Sequence, residues 1–206
     1  MKSTPPLTAR TPAPYDRLAR PYDLAMGLLE RLGMARLRQR LWSQVEGTVL
    51  EVGVGTGANF PFYPKGSRVV AIDLSSGMLE RAREKARKSG VGVSLGLMDA
   101  QALGFKDGSF DMAVGSWVFC AVRDPLLGLR EMKRALRPGG RLILLEHVRL
   151  RGLPGRLMDL LNRLTVRLGG ENINRNTEET VRRAGFQIEE SRSFLGGLVR
   201  LIRARS

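Results

Sequence analysis

The chain has 206 residues, 43% of them hydrophobic and 26% charged, which is one domain's length with enough apolar content for a buried core. A largely disordered polypeptide is therefore excluded, and the longest charge-free stretch, Val52 to Pro64, is too short and too rich in glycine and proline to cross a bilayer. A single cysteine, Cys120, and a single histidine, His147, exclude a disulfide scaffold and a His-rich metal site.

The net charge is +14, with excesses of four, four and six positive charges over residues 1–46, 47–147 and 148–206. Such a field draws polyanions or an anionic membrane surface, or else reflects an arginine-rich solvated surface. The N-terminus lacks the apolar run of a signal peptide, so a cytoplasmic protein is expected, with peripheral contact at the inner membrane surface kept open.

Residues 1–14 hold four prolines among Ser, Thr and Ala and read as a disordered tail. Tyr15 to Leu32 and Met34 to Val45 carry apolar residues at helical spacing. The rhythm then changes to short apolar strands: Thr48 to Val52, Arg68 to Asp73, Val93 to Met98, Phe110 to Ser116 and Arg141 to Val148. Helices are expected over Ser75–Ser89 and Asp124–Leu136, the second closed by Arg137-Pro-Gly-Gly140. Strands alternating with helices predict parallel βαβ units in an α/β domain covered on both faces. Beyond Val148 come a basic amphipathic segment over Arg156–Leu168, a helix over Thr177–Ala184 started by Asn176, and two terminal strands.

Open α/β sheets bind ligands beyond the carboxyl ends of their strands. The turn Glu51-Val-Gly53-Val-Gly55-Thr-Gly57 leaves the first strand, and glycines there let a ligand approach backbone N–H groups. Its spacing differs from the G-x-G-x-x-G of dinucleotide-binding turns. Asp73 ends the next strand, where a carboxylate can accept both hydroxyls of a ribose. Asp99, followed by Ala100, ends the third and can accept from an adenine amino group, with Leu74 and Met78 flanking the ring.

These motifs, with Val70-Ala-Ile-Asp73, Met98-Asp99-Ala100, Phe110-Asp111 and Leu136-Arg-Pro-Gly-Gly140, resemble those of class I S-adenosylmethionine-dependent methyltransferases. The resemblance covers roughly Tyr15 to the C-terminus. It is to the branch holding ubiquinone/menaquinone C-methyltransferases, phosphatidylethanolamine N-methyltransferases and thiol S-methyltransferases. Tyr15-Asp-x-x-Ala-x-x-Tyr22-Asp is similar to that branch's N-terminal lid motif, which makes residues 15–206 one domain and 15–46 its helical lid. The resemblance implies a doubly wound, seven-stranded Rossmann-like sheet of order 3-2-1-4-5-7-6, the seventh strand antiparallel. It implies S-adenosylmethionine as cofactor, with the Gly53 loop holding its methionine part, Asp73 the ribose and Asp99 the adenine; Gly53, Gly55, Gly57, Asn59, Asp73, Leu74, Met78, Asp99, Ala100 and Ser116 form the expected cofactor set.

For the acceptor, His147 is the candidate base, and Tyr22 would close over the methyl group; a lone histidine is more often structural, and a tyrosine on an amphipathic helix more often core. Trp117 and Phe119 are expected to line the acceptor pocket or to serve as packing. The stretch Gly115-Ser-Trp-Val lacks the (D/N)-P-P-(Y/F) tetrapeptide of nucleobase amino-methylating enzymes. A small-molecule or lipid acceptor (thiol, amine or quinone) is therefore expected ahead of RNA methylation or a non-catalytic cofactor-binding role. No metal is expected.

Overall fold

The computed structural model describes residues 33–150, 152–169 and 172–206. The expected tail, the helix over 15–32 and Tyr22 lie outside the described residues. Seven strands, β1 (Thr48–Val52), β2 (Arg68–Asp73), β3 (Val93–Leu97), β4 (Phe110–Ser116), β5 (Leu136–His147), β6 (Gln187–Phe194) and β7 (Val199–Arg205), form one sheet. Its order is β3-β2-β1-β4-β5-β7-β6, and β7 runs antiparallel to both neighbours. This is the α/β topology that the resemblance implies.

Central strands buried on both faces send alternate side chains to opposite layers. Leu50, Leu142 and Leu144 join one core with Leu129 and Met132 of α3 (Pro125–Ala135) and Val181 of α5 (Thr177–Arg183). Val49, Ile143 and Leu145 join the other with Leu41 and Trp42 of α1 (Ala35–Trp42) and Leu79 and Ala82 of α2 (Ser76–Ser89). Helix starts follow the residues that the sequence offers as caps. Ser75 Oγ accepts from the Met78 N–H at 3.2 Å, Asp124 from Leu127 at 3.0 Å, and Asn176 from Glu179 at 3.4 Å.

The start of β5 differs from expectation. β5 begins at Leu136, directly after α3, instead of at Arg141. Leu136 pairs with Phe110, the register breaks, and pairing resumes at Met112 with Arg141. Residues Arg137–Gly140 thus bulge out of a strand and do not separate a helix from it. Arg137 Nη1 meets Asp111 Oδ1 at 2.6 Å, and Asp111 Oδ2 also accepts from the Thr48 N–H at 2.7 Å, so the irregularity is tied to β1.

The basic amphipathic segment is a helix, α4 (Gly152–Gly169), longer at both ends than the sequence pattern suggests. Leu157, Leu160 and Leu161 are exposed; the side chains of Leu164, Leu168 and Arg163 lie outside the described set. Among the described residues, no helix is long and apolar enough to cross a membrane.

Candidate cofactor and acceptor site

β1, β2 and β4 all end at the same edge of the sheet, and the chain leaving each folds over that edge. The three glycines after β1 have different reasons to be glycine. Gly53 has φ +76°, and a Cβ there would lie 2.3 Å from the Val118 side chain. Gly57, at φ +80°, would collide likewise with the Phe60 ring. Gly55, at φ +54°, has nothing within 4 Å of a would-be Cβ. The first and last are needed for internal packing, while the middle one leaves backbone open to a cavity.

That cavity, about 220 Å³ in volume, is bordered by Gly53, Gly55, Asn59, Asp73, Leu74, Met78, Asp99, Ala100, Ser116 and Trp117. Ten sequence-nominated residues from four separate stretches thus meet around one space. Gly57, Phe119 and His147 are not among its lining residues. Phe119 is instead fully buried in the core and packs beside Gly115 and Gly128, so the structure gives it the packing role. The His147 ring is centred 6.1 Å from that of Trp117.

Asp73 is doubly used. Its Oδ2 accepts from the Gly55 N–H at 2.8 Å and its Oδ1 from the Ser75 N–H at 2.9 Å, which ties the glycine loop to the end of β2. A carboxylate oxygen can accept more than one hydrogen bond, so a ligand hydroxyl can be met beside a backbone N–H. Asp99 Oδ1 accepts from the backbone N–H and side-chain amide of Gln101 at 2.9 and 3.0 Å. Between the two carboxylates the wall is apolar: Ile72, Leu74, Met78, Met98 and Ala100.

The opposite wall holds a cation that sequence reasoning missed. Arg38 of α1 is 4% exposed; its Nη1 donates to Asn59 Oδ1 at 2.7 Å and Ser116 Oγ at 3.2 Å. Its guanidinium lies 4.5 Å from the centre of the Trp117 ring, a cation–π distance. Asn59 in turn donates to Ser116 Oγ at 2.9 Å and to Glu51, whose other oxygen accepts from the Tyr63 hydroxyl. Burial holds the Glu51 carboxyl above the usual carboxylate range, against the opposing pull of Tyr63, Asn59 and Arg38. Burial and the Glu51 charge push the Tyr63 hydroxyl upward too.

A signal for Arg38 existed. Leu37, Leu41 and Trp42 are buried, and position 38 shares their helical stripe, so a cation on an apolar face was there to be read. Glu146, 1% exposed within the apolar run of β5, carried the same kind of signal. Its Oε1 accepts from the N–H groups of Val118 and Phe119, each at 3.1 Å. The carboxylate thereby holds the loop in which Trp117 adopts φ +50°, a conformation that a bulky side chain adopts only under constraint.

The strand order, the glycine loop and the two carboxylates at successive strand ends define the Rossmann-like fold of class I S-adenosylmethionine-dependent methyltransferases. Residues 50–144 match the family model of a methyltransferase domain. The chain is 42% identical over 128 residues to the phosphatidylethanolamine N-methyltransferase of Cereibacter sphaeroides, a match covering 61% of this chain and 63% of that one. It is 37% identical over 131 residues to the thiol S-methyltransferase TMT1B of Homo sapiens, covering 56% and 52%. The match thus spans less than two thirds of either relative's own length. A solved S-adenosylmethionine-dependent methyltransferase from Thermotoga maritima superposes with a TM-score of 0.65 at 26% identity, over 93% of this chain and 98% of that one.

The donor set fits the family's cofactor. Two carboxylates at neighbouring strand ends suit hydroxyl and amino donors, the apolar stretch between them suits a flat ring, and Gly55 leaves backbone accessible.

Proposed function

We propose that this chain is an S-adenosylmethionine-dependent methyltransferase acting on a small molecule or lipid. The observation that carries the reading is the single cavity joining Gly55, Asp73 and Asp99 on one wall to Arg38, Ser116 and Trp117 on the other. In this reading Asp73 accepts the ribose hydroxyls, Asp99 and Gln101 meet the adenine edge, and Leu74, Met78 and Met98 enclose the ring. The bound cofactor supplies an electrophilic methyl group on a sulfonium. What this chain's residues contribute is alignment of the acceptor and exclusion of water, with Trp117, Val118 and Val122 as walls. His147 is assigned to proton removal or to supporting Trp117. A pH profile of turnover for His147→Gln separates the two, because only a base shifts the acidic limb.

The two curated relatives carry names of a phospholipid amine acceptor and a thiol acceptor. Their overlap on this chain supports an acceptor with a nucleophilic head on an apolar body. Reversible contact with an anionic membrane surface is part of this reading and rests on the +14 charge. The test is transfer of radiolabelled methyl from S-adenosylmethionine to phosphatidylethanolamine vesicles and to alkyl thiols. Label in either acceptor class supports the proposal, and a chain that binds cofactor yet labels neither contradicts it.

A further inference from the structure

Helix α4 is mounted with its apolar face outward. Leu153, Leu157, Leu160 and Leu161 recur at helical spacing along one side and are 76%, 57%, 72% and 43% exposed. The side that meets the protein carries Gly155, Met158 and Asn162. Gly155 is buried, and a Cβ there would lie 2.0 Å from the Leu150 carbonyl oxygen. Met158 accepts from the Leu150 N–H through its sulfur, and Asn162 Oδ1 accepts from the Ile173 N–H at 2.9 Å. A helix that merely covered a sheet would turn the leucines inward. Four exposed leucines in one row make a contiguous apolar patch that water solvates poorly.

The charges beside that patch select its partner. Arg156 and Arg167 are exposed along the helix. The one acid of α4, Asp159, is held by Arg149 at 2.6 Å. A row of leucines flanked by exposed cations complements a surface with an apolar interior and anionic head groups. A further exposed leucine sits at the same end of the molecule. Leu195, 64% exposed, occupies the β6–β7 turn at φ +49°. Leu150, which anchors Met158 of α4, also comes within 3.4 Å of where a Gly197 Cβ would sit in that turn. A left-handed conformation is uncommon for a leucine, and here it leaves the side chain exposed.

The patch is coupled to the cavity. Asn162 of α4 bonds the segment at 172–173. The Asn172 N–H donates to the Cys120 carbonyl at 2.9 Å, and Arg175 Nη2 donates to the Val122 carbonyl at 2.7 Å. Ala121 and Val122 border the cavity.

We infer that the leucine face of α4, together with Leu195, docks on an anionic lipid bilayer and that the acceptor is an amphiphile drawn from that bilayer into the adjoining cavity. The second half rests on the methyl transfer proposed above; the docking gives the membrane contact proposed there a surface, and stands whether or not a methyl group is transferred. Sedimentation with phosphatidylglycerol/phosphatidylethanolamine vesicles tests both. The wild-type protein pellets at low salt and is released near molar salt. Leu153→Glu/Leu160→Glu lowers the vesicle partition coefficient by about tenfold or more. Leu127→Glu, at an exposed leucine of α3 outside the face, leaves it unchanged. S-adenosylhomocysteine affinity, measured by calorimetry, stays the same in all three proteins and reports an intact fold. Labelled methyl enters the lipid fraction with wild type and falls about tenfold with the double variant.

Pelleting that survives the double substitution, or absent from wild type at low salt, overturns the docking face. So does a lipid-independent dimer that the double variant dissolves, because the face would then bind a second copy. Normal pelleting with no label in lipid, but label in a water-soluble thiol, overturns the acceptor half alone. Loss of cofactor binding in every protein would strike the methyl-transfer reading and leave the vesicle result standing.

Discussion

The two walls of the cavity are built by different means. The wall assigned to the cofactor consists of strand ends and the backbone just beyond them: the turn after β1, Asp73 closing β2, and Asp99 after β3. The facing wall is assembled from distant parts of the chain. Arg38 comes from α1, Trp117 from the loop after β4, and Glu146 holds that loop from within β5. The first wall depends on backbone conformation and one carboxylate per strand. The second depends on buried charges finding partners across the fold, where each unpaired group is costly.

That contrast can be broken or sharpened by substitution. The largest effect is expected on the backbone wall. Gly53→Ala places a Cβ 2.3 Å from Val118 and at φ +76°. The left-handed conformation costs about 1–2 kcal/mol for a non-glycine residue. Overpacking against Val118 adds about 1–3 kcal/mol. Thermal unfolding should show a large drop in Tm, and an unchanged Tm would mean that the loop relaxes freely.

A smaller effect is expected on the opposite wall. Arg38→Met keeps much of the hydrocarbon but removes the donor from Asn59 and the cation from Trp117. Leaving buried acceptors underpaired costs about 1–3 kcal/mol. Urea unfolding measures that loss, and the indole emission should shift as Trp117 loses its cation. Stability equal to wild type would show that Arg38 merely rests in the cavity.

The smallest effect concerns pH. Burial raises the Glu51 pKa in the folded state, so its contribution to stability is complete below the unfolded carboxylate value, near 4.5, and declines as pH rises through the folded value. Glu51→Gln cannot ionise and should flatten the fall in Tm on raising pH above about 4.5. A parallel pH profile for the two proteins would contradict the raised pKa.

The same contrast explains what could be read from sequence. The strand ends were legible because a glycine turn and a terminal carboxylate are linear signals, and all seven strands and their order follow from the motifs and their resemblance. The start of β5 was not, because Arg137-Pro-Gly-Gly140 has turn chemistry whether it ends a helix or bulges from a strand; only the pairing of Leu136 with Phe110 decides. Phe119 and Trp117 are two residues apart in chain yet one is core and the other lines the cavity, a division that Glu146 imposes from β5. For α4 the periodicity was visible but its direction was not. Gly155 and Asn162, and not the leucines, determine which side meets the protein.

Calorimetric titration of S-adenosylhomocysteine into the wild-type protein and Asp73→Ala tests the central assignment most directly. Micromolar binding to wild type is predicted, with no heat from NAD. Loss of a charged acceptor, worth about 1.5–3 kcal/mol, should weaken the variant roughly ten- to a hundredfold. No binding to wild type, or equal affinity in the two proteins, would contradict the assignment of this cavity to the cofactor and of Asp73 to its ribose.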